Sequence, residues 1–273
     1  MAGHEATHWK VEDLDFSRIA VDQVRQDENL FYLVASASFI ESGSDLYTRN
    51  LVDFFRGDDE VTAWLDEHWE AEELQHGKAL RAYIAHVWPD FDWETAYRGF
   101  LDEYAGFCKV ELLAATRGLE LSARCVVETG TASYYRALAR CTTEPVLRDL
   151  AGRIAADEVS HYKHFYRFFR RYRVQEGLGR LRVLRTIGRR TLELKSEDAD
   201  CAVRHAVRVR APERAADSAY VAQLARRMNS SIRTHLSAGA TLKMLMRPLE
   251  LPARVQTVVQ YPIRQLMTHV FLR

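Results

Sequence analysis

Hydrophobic residues along the first two thirds of the chain recur every three or four positions, the spacing that places side chains on one face of an α-helix. The clearest stripes run from Leu65 to Val87 and from Leu147 to Tyr172. Glycine, proline and short polar residues interrupt the pattern at 57–59, 88–90 and 142–145, where helices are expected to end. The predicted helices cover residues 18–56, 60–87, 93–105, 108–141, 144–173, 180–194, 213–236 and 253–271. The pattern therefore predicts an all-α protein.

Two copies of the motif Glu-x-x-His interrupt these stripes at positions where an apolar residue is expected. The first is Glu73 with His76, and the second, 85 residues later, is Glu158 with His161. Because residues three apart on a helix point to the same side, each copy offers a carboxylate and an imidazole to one metal ion. A single copy is common on solvated helix faces, but both copies here lie where a core residue belongs.

Two further glutamates occupy apolar positions in the other long stripes. Glu41 follows Val34 and Ala37 in one stripe, and Glu128 follows Cys125 in the other. The order along the chain is therefore Glu, then Glu-x-x-His, given twice. This order is the ligand pattern of a dinuclear carboxylate centre in a four-helix bundle, and the helix near 93–105 is then part of the long crossover between the two halves.

The buried acids need a counter-charge. An unpaired carboxylate in a bundle core costs several kcal/mol, and these stripes contain no Lys or Arg. Two divalent cations would neutralise the four glutamates, whereas the alternative is a solvated acidic groove without metal. Glutamate and histidine ligands suit iron or manganese, and the lack of thiolate ligands argues against a structural zinc centre.

Composition is that of a helical protein without a membrane anchor. The 273 residues include only 13 Gly and 6 Pro, and no apolar run approaches the roughly 20 residues that cross a bilayer. The N-terminus lacks the basic start and apolar stretch of a signal peptide, so we expect a cytoplasmic protein. The four cysteines are scattered, which predicts neither disulfides nor an iron–sulfur cluster. Electrons for any redox reaction would then come from an external donor.

The net charge of zero conceals a division of the chain. Residues 1–166 carry 16 Lys and Arg against 30 Asp and Glu, whereas residues 167–273 carry 22 against 8. We predict a di-metal bundle at 1–174 and a basic, mostly helical extension at 175–273. The basic segment is either a tail that neutralises the acidic bundle or a dock for an acidic partner. Nucleic acid is less favoured, because the stretch from Arg167 to Arg190 has few aromatic residues for base stacking.

The strings AEELQHG at 71–77 and AADEVSHYKHFY at 155–166, with Glu41 and Glu128 before them, resemble the soluble acyl-acyl-carrier-protein desaturases of the ferritin-like superfamily. The resemblance covers about residues 35–170 and implies a ferritin-like bundle with two iron ions, with manganese as the alternative. It implies that Glu73 and Glu158 bridge the metals, that Glu41 and Glu128 are terminal ligands, and that His76 and His161 bind one metal each.

The same resemblance implies roles for residues beside the ligands. Asp157 would orient His76, as metal-bound imidazoles require a polar partner on their other nitrogen. Thr131 matches the family's active-site threonine, which handles protons of bound oxygen; a threonine bonded back to its own helix is the alternative. Acyl carrier protein is then the expected acidic partner, and a ferredoxin-like protein the expected electron donor. We expect a homodimer. The arginines expected to dock the carrier are Arg170, Arg171, Arg173, Arg180, Arg182 and Arg185.

The sequence thus predicts a non-haem di-iron oxidase or oxygenase that desaturates or hydroxylates an apolar acyl chain. The ligand spacing also fits aldehyde-deformylating oxygenases and other small-molecule di-iron or manganese–iron oxidases. A ferroxidase or iron store is an alternative of another class, against which the basic third of the chain argues. A non-catalytic binding protein is the remaining alternative.

Overall fold

The computed structural model describes residues 9–193 and 197–252. Within these residues the chain is helical and contains no strand, which confirms the predicted all-α class. None of the helices in the described ranges combines the length and the apolar character that crossing a membrane requires. The predicted helix at 253–271 lies outside the described residues.

Twelve α-helices, a π-helical segment and several short 3₁₀ turns make up the described chain. The π-helical segment is Leu65–Trp69, and the helix that follows it continues without a break. The helices are α1 (Val21–Val24), α2 (Glu28–Ser42), α3 (Ser44–Phe54), α4 (Asp59–Trp64), α5 (Glu70–Val87), α6 (Trp93–Tyr104), α7 (Arg117–Cys141), α8 (Pro145–Gln175), α9 (Arg180–Glu193), α10 (Glu197–Arg210), α11 (Ser218–His235) and α12 (Ala238–Met246).

Several predicted helices are confirmed, and others differ at their ends. The helices α6, α8 and α9 begin and end within two residues of the prediction. The helix predicted at 18–56 is wrong as one element, because Asp27 caps a new start at Glu28 and the chain breaks at Gly43. The helix predicted at 108–141 begins only at Arg117, and α11 begins five residues later than predicted. The helix α10 was not predicted.

The chain forms two compact units. The described part of the first unit comprises residues 9–112, 142–153 and 197–230, and that of the second comprises 113–141, 154–193 and 231–252. Both units combine residues from before and after 174, and the division into a bundle at 1–174 and an extension at 175–273 stays a prediction.

In the first unit, α2 packs along α5 and also contacts α6 and α10. The core beside α2 is aromatic: Phe31 meets the edges of Trp88 and Phe91, and Phe39 packs on Phe100. Trp93 donates a hydrogen bond from its indole nitrogen to Ser38 Oγ at 2.9 Å, which satisfies the polar atom that comes with this large buried ring. This packing fixes α2 and α5, the two helices that carry ligand residues in this unit.

In the second unit, α7 packs against α9 and α12. A buried ion pair joins Arg124 to Glu120 one turn earlier on α7, at 2.9 Å. The side chain of Ser133 lies 2.8 Å from that of Thr241 on α12, and Tyr162 of α8 donates a hydrogen bond to Met244 O at 2.7 Å. The contacts of Ser133 and Tyr162 hold α12 on the helices α7 and α8, which carry the predicted ligand residues of this unit.

Candidate metal centre

Three predicted ligands come together in the first unit. Glu41 lies in the last turn of α2, and Glu73 and His76 lie one turn apart on α5. All three side chains are buried, and each offers a ligand atom within 4.8 Å of the others. His76 Nδ1 is 3.5 Å from Glu41 Oε2. We call these residues the first triad.

The first triad is positioned mainly by packing. A Cβ atom added at Gly77 would lie 2.7 Å from Ser42 N and 2.9 Å from Ser42 Cα, so α2 and α5 approach closely only because residue 77 lacks a side chain. The ring of Trp9 lies parallel to that of His76, with centroids 6.1 Å apart. Gln75 donates a hydrogen bond to Trp9 O at 2.7 Å and so ties the chain around Trp9 to α5.

The second unit contains the other three predicted ligands. Glu128 lies on α7, and Glu158 and His161 lie one turn apart on α8. These side chains are almost completely buried, and their ligand atoms again lie within 4.8 Å of one another. His161 Nδ1 is 3.5 Å from Glu128 Oε2 and 3.9 Å from Glu158 Oε2. We call these residues the second triad.

Thr131 lies one turn after Glu128, and its hydroxyl donates to Glu158 Oε2 at 2.6 Å. The same oxygen lies 3.3 Å from the carbonyl oxygens of Val127 and Glu128, the weaker contacts of a threonine bonded back to its helix. The short contact links α7 to a predicted metal ligand on α8. Asp157 is half-buried on α8 beside Glu158, and its role in orienting His76 stays a prediction.

Burial changes the protonation of the second triad. Desolvation raises the pKa of Glu128 to about 8, with a further increase from the charge of Glu158; the hydrogen-bonding contact with His161 opposes these effects. Cys125, one turn before Glu128, is a buried free thiol whose pKa is raised well above its usual value, first by burial and then by the charge of Glu128. Burial therefore favours the protonated form of the Glu128 carboxyl group in the metal-free protein.

The donor atoms of each triad fit a divalent metal ion. Two ligand atoms bound about 2.1 Å from one small cation, with an angle of about 90 to 110° between them, lie about 3.0 to 3.4 Å apart. The histidine-to-glutamate separation is 3.5 Å in both triads. Each triad supplies two carboxylates and one imidazole without a thiolate, a donor set that suits iron or manganese. Each buried cluster could therefore hold a metal ion.

A third group of potential ligands lies in the first unit and has a different character. Glu103, Cys201 and His205 lie within ligand distance of one another, but Arg204 forms an ion pair with Glu103 and the guanidinium of Arg208 lies 3.3 Å from both His205 ring nitrogens. The hydrogen bond from His205 and the pairing with Arg204 lower the pKa of Glu103 to about 2. Arg204 already neutralises the single carboxylate of this group, and Arg208 lies against His205, so we interpret the group as an ion-pair network that joins α6 to α10.

Three of the arginines predicted to dock a partner are engaged within the second unit. Arg170 Nε lies 3.3 Å from Glu250 Oε1. Arg173 donates to Pro248 O at 2.9 Å and pairs with Glu250 at 3.1 Å. Arg180 donates to Leu249 O at 3.1 Å and to Glu250 O at 3.0 Å. These contacts hold the turn at 247–250 against α8 and α9. Arg182 and Arg185 are exposed on α9.

No protein-family model matches the chain, and no curated protein matches it significantly. The assignment of the triads therefore depends on their residues and geometry.

Sequence reasoning predicted the residues of both triads but missed the π-helical segment before the first triad. The signal was available: the buried positions Val61, Leu65, Trp69 and Glu73 follow three consecutive steps of four residues. On an α-helix each such step rotates the side chain by about 40°, so three steps leave one face. The wider turn of a π-helix keeps these positions aligned.

Proposed function

We propose that this chain is a non-haem di-iron oxidase or oxygenase with a ferritin-like bundle. The observation that carries the proposal is the repetition of one buried donor set, Glu with Glu-x-x-His, with the same 3.5 Å histidine-to-glutamate separation in both triads. The assignment of the two triads to one dinuclear centre comes from the order of these ligands in the sequence. Iron bound there would supply the activation of dioxygen needed to oxidise an unactivated carbon.

The residues of the triads have defined tasks under this proposal. His76 and His161 bind metal through Nδ1, the nitrogen that faces the glutamate of the same triad. Thr131 orients Glu158 by donating its hydroxyl proton to Oε2. Glu128 carries a proton at neutral pH until a cation replaces it, since its pKa is raised to about 8. The apolar residues around the triads exclude water, which strengthens the electrostatic interactions within the centre.

The proposed substrate is an apolar acyl chain, and the support for it is the resemblance to the desaturases. An aldehyde or another small apolar molecule is the second candidate for the same centre. Delivery by acyl carrier protein and reduction by a ferredoxin-like donor stay predictions. Since Arg173 and Arg180 are engaged with the turn at 247–250, Arg182 and Arg185 are the better candidates for contacts with a carrier.

Metal analysis tests the proposal directly. After anaerobic loading with ferrous iron and removal of free metal, we expect two ions per chain in the wild type. His76→Ala and His161→Ala should each lose at least one ion, whereas the control His86→Ala, an exposed histidine on α5, should retain both. Fewer than one ion in a folded wild-type protein would contradict the proposal.

Oxygen consumption separates an oxidase from an iron store. In the loaded protein, oxygen use should require an external reductant and rise when an acyl substrate is added, with iron remaining at two per chain. Accumulation of tens of irons per chain would favour the ferritin-type alternative. A metal-loaded protein that consumes no oxygen with any reductant and acyl substrate would leave a binding protein as the better assignment.

A further inference from the structure

The helix α9 has one apolar face that is buried and another that is exposed to solvent. Its inner face, with Val183 and Ile187, is buried in the second unit, where α9 packs against α7. Its outer face carries Leu181, Leu184 and Leu192, which are 60%, 48% and 68% exposed. At 100° per residue these leucines lie within a sector of about 80°, and the centre of this sector is about 125° around the helix from the centre of the inner face. Leucines on a solvent-facing stripe have no role in the core of this unit.

Arginines border the outer stripe. Three exposed arginines lie around the helix on one side of the leucines. Viewed down the helix axis, their order away from the leucines is Arg185, Arg189 and then Arg182. Arg189 lies 3.3 Å from Glu193, and no ion pair of Arg182 or Arg185 is found within residues 9–193 and 197–252. Arg182 and Arg185 are therefore available to an anionic partner along a stripe about 16 Å long.

An open cavity of about 510 Å³ lies between the C-terminal end of α8 and the turn at 247–250. Its lining includes Arg170, Arg171 and Arg173, with Glu250 as its acidic residue. Arg180, the first residue of α9, donates to the carbonyl oxygens of Leu249 and Glu250, so the cavity and the helix are held together. Guanidinium groups bind phosphate oxygens in pairs, and this surface is built from arginine rather than lysine.

We propose that the outer face of α9 binds the surface of a membrane that contains anionic phospholipids. The helix would lie flat, with Leu181, Leu184 and Leu192 among the acyl chains and Arg182, Arg185 and Arg189 at the lipid phosphates, which is the residue distribution of an interfacial amphipathic helix. An acidic protein would satisfy the arginines, but it would not by itself account for leucines along the outer face. The proposal does not depend on the metal centre.

Vesicle binding tests the proposal with the full chain. We expect co-sedimentation with vesicles of phosphatidylcholine and phosphatidylglycerol, little with phosphatidylcholine alone, and loss as salt is raised above physiological strength. Replacing Leu181, Leu184 and Leu192 together by serine should weaken binding more than about tenfold. Replacing Arg182, Arg185 and Arg189 together by serine should weaken it about 100-fold, since each cation near an anionic surface contributes about 1 kcal/mol.

Matched controls come from other exposed positions. Leu112→Ser removes a leucine that is 61% exposed in the first unit, and Arg49→Ser with Arg56→Ser removes two exposed arginines there. These controls should bind vesicles like the wild type, and every variant should keep the wild-type helical content. Absence of vesicle binding in the wild type, equal binding by the leucine variant, or binding to acidic carrier protein without binding to vesicles would overturn the proposal.

Discussion

In the first unit, His76 lies parallel to the ring of Trp9, and the helices that carry the first triad approach closely because residue 77 is glycine. In the second unit, a hydroxyl group on α7 donates to a ligand on α8, and burial raises the pKa of Glu128 to about 8. Both triads nevertheless have the same ligands and the same 3.5 Å separation. The difference indicates that one donor geometry can be held by packing in one place and by polar contacts in another.

The largest expected effect of a substitution at a single pH tests the packing of the first triad. In Gly77→Ala the new methyl group would collide with the backbone of Ser42, and backbone cannot move aside as a flexible side chain can. We expect a loss of about 3 kcal/mol in the free energy of unfolding of the metal-free protein, measured with denaturant. Metal binding should weaken as well, because Glu41 directly precedes Ser42 and His76 directly precedes Gly77.

Two other glycines calibrate this prediction. Gly152→Ala on α8 meets nothing within 4 Å and should stabilise the helix by up to about 1 kcal/mol. Gly118→Ala in the second unit would meet the side chains of Leu178 and Glu176, which can move, and should cost less than Gly77→Ala. If all three variants have the same stability, close packing does not distinguish the two triads.

The next effect concerns the pH dependence that Glu128 gives to the second triad. Its pKa is about 8 in the folded metal-free protein and 4.5 without the fold, so the folded state binds more protons between these values. Stability of the metal-free protein should therefore fall as pH rises from about 4.5 to 8, by up to about 1.4 kcal/mol per pH unit from this group. Metal affinity should increase over the same range.

Replacement by glutamine removes this ionisation. Denaturant unfolding of the wild type and of Glu128→Gln, each with a chelator and at a series of pH values, measures the difference in slope. The variant should lose the decrease in stability that Glu128 contributes. An unchanged slope would show that another group carries the pH dependence.

The smallest effect concerns the hydroxyl of Thr131. Thr131→Val keeps the shape but removes the hydrogen bond to Glu158, so metal affinity should fall about tenfold, as for other residues that orient a ligand. Thr131→Ser should restore most of the affinity, and the variants should differ by less than about 1 kcal/mol in metal-free stability. Titration with ferrous or manganous ions under anaerobic conditions measures the metal affinity of each variant. Equal affinity in the valine variant would leave Thr131 with only its helix contacts.

The periodic pattern predicted which side chains are buried better than it predicted where one helix ends and the next begins. The stripe that contains Glu41 continues across the break at Gly43, and all of its positions are buried: Val34, Ala37, Glu41, Ser44, Thr48, Leu51 and Phe55. A stripe reports which side chains face the core, and two consecutive helices can share that face across a break. The triads were predictable for the same reason, since a charged residue in a buried register is visible in the sequence.

The helix α10 could not be found in this way. Its buried face consists of small residues such as Cys201, Ala202 and Ala206 between arginines, a pattern that a charged, solvated segment also gives. Its position depends on contacts with α2 and α6 that are distant in the sequence, including the hydrogen-bonded contact between His205 and Glu103. Such long-range pairing leaves little periodic signal.

Under the proposed function, the environment of Cys125 affects how well the protein resists oxidative damage. Thiols are oxidised to sulfenic and higher acids mainly as thiolates, and mainly where oxidants can reach them. The pKa of Cys125 is raised well above its usual value and the side chain is buried, so the sulfur stays protonated and shielded one turn from Glu128. If the second triad takes part in oxidation as proposed, this sulfur would therefore stay intact beside it through repeated turnover.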